Sequence, residues 1–258
     1  MPRARLRRLV AIGALPALLF ALWWILSDHS TSFYLPPLRK ILATFATTWP
    51  SRLTSDVLPS IARLVIGYAG AVLGGVTLGV PLGARPRLRA VLEPALELFR
   101  AIPPPAMVPV LMLLFGIGTP MKLLVIMSGA AWPVLLNTIE GVRAVDEVLG
   151  DTARSYGITG TARLRHLVLR SASPQIMAGM RQALSIAIIL MVISEMFASS
   201  EGIGFTIIQF QRSFAIPEMW SGVLLLGLLG FGLSLLFRVA ERRVLSWYFG
   251  LRDAQRNG

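Results

Sequence analysis

The 258 residues include no cysteine and only two histidines, His29 and His166, far apart in the chain. A disulfide framework and a thiolate metal site are therefore excluded, and a histidine-based metal centre is disfavoured. Charge is also scarce: Asp, Glu, Lys and Arg make up 15% of the chain against 55% hydrophobic residues, and the mean hydropathy is +0.68. An ordinary soluble domain does not have this balance, and membrane insertion is the expectation. No G-x-x-x-x-G-K-[ST] loop occurs, so the chain has no phosphate cradle of that type with which to hydrolyse a nucleotide. No Ser, His and Asp set, no H-E-x-x-H run and no pair of helical carboxylates stands out. The residues propose no catalytic group, bound cofactor or metal ligand.

What the chain does have is long apolar runs punctuated by arginine. The net charge of +12 falls in short clusters between these runs and not along one soluble face, which argues for topology signals and against nucleic-acid binding. A charge-free run from Leu9 to Ser27 follows Arg3, Arg5, Arg7 and Arg8. It passes through Trp23 and Trp24 and is longer than the apolar core of a signal peptide, so it reads as a retained first span. Further spans are expected at Leu64–Ala84, within Ala101–Met121, at Leu123–Ile139, from about Gln175 to Ser199, and at Met219–Phe237. Prolines 103, 104, 105 and 109 delay the regular helix of the third span until about Met107. Ser173 and Pro174 read as the cap and first turn of the fifth. A short surface helix is expected over Leu38–Thr48, and a re-entrant or surface helix over Phe205–Phe214. In the second span Gly70 and Gly74, Gly75 and Gly79, and Gly79 and Gly83 form small-xxx-small pairs suited to close helix packing.

The expected architecture is therefore all-α: one polytopic transmembrane domain over 1–258 with about six membrane helices. Residues 1–56 hold the first span and an outside loop, 57–237 the core, 144–172 a cytoplasmic loop and 238–258 a cytoplasmic tail. Six spans with both ends inside predict arginine-rich N-tail, second, fourth and final segments. These hold 4, 4, 6 (counting Arg181 with the fourth) and 5 Lys and Arg, or 19 of the 25, as the positive-inside rule requires.

The longest polar interval, Asp146 to Pro174, carries the most information. Val145, Val148, Leu149, Thr152, Ala153 and Tyr156 recur on one face of a short helix, and Gly157 is placed to end it in a left-handed turn. Thr161 is placed to cap a second, basic helix through Leu164, Leu167 and Val168. The pattern suits either a loop lying on lipid or a docking element for a soluble partner. Within the spans, Glu195 is an isolated acid, and such a residue counts as a functional hypothesis because burying it in lipid is costly. It is read in three ways: paired with an arginine or backbone groups, lining a translocation path, or relaying protons. Trp132, Asn137 and Ser194 are further candidates for a polar path, each with an alternative reading as a packing or interfacial residue.

The order Asp151, Thr152, Ala153, Gly157, Leu167 and Leu169 resembles the EAA loop of the membrane subunits of ATP-binding-cassette importers. Two departures are visible: Asp151 stands where that family usually has Glu, and Arg170 where it usually has Pro. The run FRAIPPPAMVPVLMLLFGIG from Phe99 to Gly118, then Leu136, Asn137, Thr138, Gly141, Val142 and Arg143, resembles the permeases of aliphatic-sulfonate, taurine and nitrate importers. So do Glu195 and Met196 with Gly202 and Gly204 beyond. The resemblance spans roughly Ser60 to Leu236 and implies a type I importer permease fold in a bacterial inner membrane. It further implies a permease homodimer, two ATPase subunits that bind ATP and Mg, and a periplasmic or lipid-anchored binding protein that selects the solute. Asp151, Thr152, Ala153, Tyr156 and Gly157 would then form the ATPase-coupling element. An ATP-independent carrier or channel and a structural scaffold are the competing classes. A carrier would be expected to show more intramembrane acids or an internal repeat.

Overall fold

The computed structural model describes residues 14, 18–28, 30, 32–197 and 199–250, and the regular structure among them is helical. In chain order the helices are α1 (Leu18–Asp28), α2 (Leu38–Thr48), α3 (Leu58–Ala84), α4 (Pro86–Ala101), α5 (Val108–Phe115), α6 (Thr119–Arg143), α7 (Glu147–Ser155), α8 (Gly160–Arg163), α9 (Leu169–Phe197), α10 (Ile203–Arg212) and α11 (Ile216–Val244). A π turn over Leu53–Val57 leads into α3, another over Leu164–Val168 joins α8 to α9, and a 3-10 turn over Pro104–Met107 precedes α5. Four helical stretches are long and apolar enough to cross a membrane: Leu53–Ala84, Thr119–Arg143, Gly160–Phe197 and Ile216–Val244. Much of the expected first span, with its arginines, lies outside the described residues.

A stripe of small residues sets the centre of the bundle. Gly67, Ala71, Gly75, Gly79 and Gly83 recur every fourth position on α3 and lie against α6. A Cβ on Gly75, Gly79 or Gly83 would stand 2.7 Å from Val134, Thr138 or Val142 respectively, so only glycine lets the two backbones come this close. The predicted pairs Gly75/Gly79 and Gly79/Gly83 lie on this seam, but Gly74 has nothing within 4 Å and the Gly70/Gly74 pair does not. One residue along a helix is a rotation of about 100°, which carries Gly74 off the contact face.

The same contacts fix direction. Numbers rise together along α3 and α6, so these helices are parallel, and the chain between them must return through the bundle. It does so as a bent pair, α4 followed by Pro104–Phe115, with 82° between the two parts. This corrects two expectations: the arginine loop after Ala84 is helical in α4, and the third span is not a single short helix. The eight residues of α5 cover only about 12 Å at 1.5 Å per residue. Against the other side of α6, Gly129 meets Leu190, Gly179 meets Pro133 and Asn137, and Gly141 meets Ala172 and Gln175, so α9 is antiparallel. Leu64, Val108, Val125, Ile126, Ala187 and Met191 fill the core where α3, α5, α6 and α9 meet.

Pro174 does not open the fifth span but lies inside α9, in a helical stretch continuous from Gly160 to Phe197. Proline has no N–H for the carbonyl four residues earlier, that of Arg170, and Ser173 Oγ donates to this carbonyl at 2.8 Å instead. The helix therefore passes through the proline. Arg181, counted above with the fourth polar segment, is a residue of α9 and pairs with Glu241 of α11. The last helix also runs on to Val244, past the expected start of the tail at residue 238.

At the end of the bundle where α3 begins, α2 and α10 pack on α11. Trp49, at the end of α2, donates from Nε1 to Ser221 Oγ at 3.0 Å, and with Val57, Ile203 and Ile207 it forms a separate apolar cluster. The expected helix Leu38–Thr48 is present with those bounds. The expected Phe205–Phe214 piece is α10; Ile203, Thr206 and Ile207 face inward while Gln209, Gln211 and Arg212 are exposed.

Candidate functional site

Two constructions stand at opposite ends of the bundle. The first is the helix, turn and helix after α6. Asp146 caps α7 through Oδ1, which accepts from Val148 N–H at 2.7 Å and Leu149 N–H at 3.3 Å. The far end closes in a full Schellman pattern, with Ile158 N–H donating to Ala153 O at 2.8 Å and Gly157 N–H to Arg154 O at 3.0 Å. Gly157 has φ +70°, the left-handed conformation that the turn demands. Thr161 does not cap the next helix: α8 starts at Gly160, with Thr159 at the cap position.

The structure gathers the five predicted coupling positions on this nine-residue helix and its turn. Ala153 is buried. Asp151 is exposed and ion-paired with Arg154, while Thr152 Oγ1 donates to Val148 O at 2.7 Å. The apolar face points away from the bundle: Val148 is 72% exposed, Leu149 51% and Tyr156 80%. Beneath α7 lies a cleft of about 670 Å³ lined by Gly83, Pro86, Val142, Asp146, Gly150 and Arg163. The helix is thus capped at both ends, buries Gly150 and Ala153 on its inner side, and turns its sticky side outward.

The second construction surrounds Glu195, near the C-terminal end of α9. Its carboxylate is fully buried. Arg63 Nη1 donates to Oε1 at 2.9 Å, Gly204 N–H donates to Oε2 at 3.1 Å, and Ser60 Oγ lies 2.8 Å from both oxygens. Ser60 Oγ also accepts from Ile203 N–H at 2.9 Å, and Asp56 Oδ1 accepts from Gly202 N–H at 3.0 Å. Three successive amides at the start of α10 are therefore bound by side chains from the π turn, α3 and α9. Arg63 reaches on to Glu201, and Lys122 of α6 donates to Ser199 Oγ at 2.6 Å. A buried charge is tolerable only when paired and hydrogen-bonded, and Glu195 is both.

Of the three readings of Glu195, the geometry agrees with pairing to an arginine and backbone groups. Of the other path candidates, Trp132 and Asn137 are not gathered with it. Trp132 is half-buried against the Leu82, Leu135 and Ile139 cluster, and Asn137 Nδ2 donates to Pro133 O at 2.8 Å. Ser194 donates to Met191 O at 2.8 Å within its own helix. Asn137 packs at the level of Gly179, about 22 Å along α9 from Ser194 at 1.5 Å per residue. Sequence reasoning missed Asp56, Ser60, Arg63, Lys122 and Glu201. The available signal was that Arg63 and Lys122 each abut a long charge-free run, where an unpaired charge would be costly.

The fold and its two ends define a polytopic helical membrane protein with a short helix of exposed apolar face on one connection. Residues 71–246 match the family described as "Binding-protein-dependent transport system inner membrane component", and the chain belongs to that family. It is 29% identical over 247 residues to the taurine transport system permease protein TauC of Escherichia coli (strain K12), covering 93% of this chain and 90% of that protein. It is 29% identical over 236 residues to the putative aliphatic sulfonates transport permease protein SsuC of Bacillus subtilis (strain 168), covering 90% and 86%. The bicarbonate transport system permease protein CmpB of Synechococcus elongatus is also 29% identical, over 74% of this chain and 69% of that one. Among solved structures, an inward-facing MetNI methionine ABC transporter matches with TM-score 0.58 and 20% identity over 73% of this chain and 95% of that chain, a likeness of fold. The protein is the permease component of an ABC importer, located in the inner membrane, and works with a separate ATPase and a substrate-binding protein. It is not itself an enzyme.

Proposed function

We propose that α7 with its Gly157 turn is the element through which ATPase closure reaches the membrane helices. The observation that carries this is the outward apolar face of Val148, Leu149 and Tyr156 on a short helix that buries only Gly150 and Ala153. Two copies of the chain would form a homodimer, each α7 seated on one of two ATPase subunits that hold ATP and Mg. Both termini would be cytoplasmic, in line with the arginine distribution, with a periplasmic or lipid-anchored binding protein at the other end. The solute class is a small anion of the sulfonate, taurine or nitrate kind, and the taurine and aliphatic-sulfonate names of two relatives support the first two. Asp151, Thr152, Ala153, Tyr156 and Gly157 serve coupling in this reading, and Glu195 anchors the far end of the moving bundle.

The test is affinity purification of the tagged chain from its host, with mass spectrometry of what accompanies it. A stoichiometric partner carrying a phosphate-binding loop is expected, and Tyr156→Arg should lose it while leaving the permease in the membrane. Recovery of the chain alone, even after cross-linking, would overturn the proposal.

A further inference from the structure

A groove runs along the side of α3 that faces away from the glycine seam, and its two parts differ in chemistry. The first part, about 490 Å³, is lined by Val76, Val80 and Pro81 of α3 and by Leu164 and Leu169 of the α8–α9 stretch. It is apolar except for Thr77 and Arg85. The second part, about 540 Å³, is lined by Ala84, Arg85, Pro86, Arg87 and Leu88, and it shares Ala84 and Arg85 with the first. The two parts adjoin at Ala84 and Arg85, one apolar along the helix and the other basic at its end, the mouth of the groove.

No carboxylate lines either part, and among the described residues neither Arg85 nor Arg87 has an ion pair. The neighbouring Arg89 is already matched by Glu93. Pro81 adds a further feature: it has no N–H for the Thr77 carbonyl, so the helix wall of the groove keeps an acceptor without its usual partner. The mouth lies where the charge-free run of α3 ends, the level at which a membrane helix meets headgroups.

We propose that this groove is a binding site for an anionic phospholipid, its acyl chain along Val76, Val80, Leu164 and Leu169 and its phosphate between Arg85 and Arg87. Charge decides among the possible occupants. A zwitterionic lipid would bring its own cation beside the phosphate and so meet two arginines with no net charge, and a partner protein would have to bring both an apolar ridge and its own acids. An anionic lipid supplies an apolar chain and a negative head in one molecule, and basic pockets between membrane helices bind such heads.

The experiment places p-benzoylphenylalanine at Val80 in the full chain, reconstituted in vesicles of equal parts phosphatidylglycerol and phosphatidylcholine, and identifies the photo-adducts by mass. Adducts with phosphatidylglycerol should exceed those with phosphatidylcholine by about tenfold or more, given the attraction of two arginines. Arg85→Gln with Arg87→Gln should remove that preference while leaving the total lipid adduct. Equal labelling of the two lipids in the parent chain would overturn the proposal. So would an adduct with a second copy of the chain or, when the whole transporter is reconstituted, with the ATPase.

Discussion

Glu195 shows how one residue's cost is met by several others. Its charge is buried completely, and Arg63, the Gly204 amide and Ser60 together take up the acceptor capacity of the carboxylate. Removing one member of a buried pair leaves the other charge stranded, at a cost of about 3–5 kcal/mol. Glu195→Ala should therefore lower the unfolding temperature of the detergent-solubilised protein sharply, and Arg63→Met should do the same. Replacing both should cost less than the sum of the two, because no buried charge remains; Glu201, the other partner of Arg63, is half-exposed and stays in contact with water. Strict additivity in that cycle would mean the pair is not the unit described here. Gly202 is under a separate constraint, with φ +113° and with a Cβ that would stand 2.5 Å from the Glu195 carboxyl, so Gly202→Ala should also destabilise this end of the bundle.

At the scale of elements, α7 can be changed without touching the core. A Cβ on Gly157 would meet nothing within 4 Å, so substitution there carries backbone strain and no clash, about 1–2 kcal/mol for a residue forced into the left-handed region. Gly157→Val should weaken the coupling of ATP hydrolysis to uptake in reconstituted transporter, and Gly157→Asn, which tolerates that conformation, should recover most of it. Equal loss in both would point to contact with the partner and away from turn geometry. This element was legible in the sequence because its signals are local: an apolar stripe of three to four residues' spacing, then a glycine. Pro174 and Thr161 were misread for the same reason. Each is a strong local signal that the surrounding chain overrides, Pro174 by the Ser173 hydroxyl and Thr161 by a helix whose cap, Thr159, falls two residues earlier.

At the scale of the whole molecule, long-range pairing was beyond the sequence. Glu195 meets Ser60 and Arg63 across separations of 135 and 132 residues, and nothing in its own neighbourhood names them. The parallel course of α3 and α6 was equally hidden, although the glycines that let them pack closely were visible. That course has a testable consequence. It puts the α7 turn and the α9–α10 connection at opposite ends of the bundle, and the absence of cysteine makes the chain suited to single-cysteine mapping. Tyr156→Cys and Ser213→Cys both fall at exposed positions, the first beyond α7 and the second beyond α10. With a membrane-impermeant maleimide on intact cells, Ser213→Cys should label and Tyr156→Cys should stay unreacted until the membrane is opened. Labelling of both from outside would break the topology, because residues at one membrane face cannot end two connections separated by the full length of α9. Reversed labelling would keep the bundle and invert it, and the docking helix would then face away from any cytoplasmic ATPase.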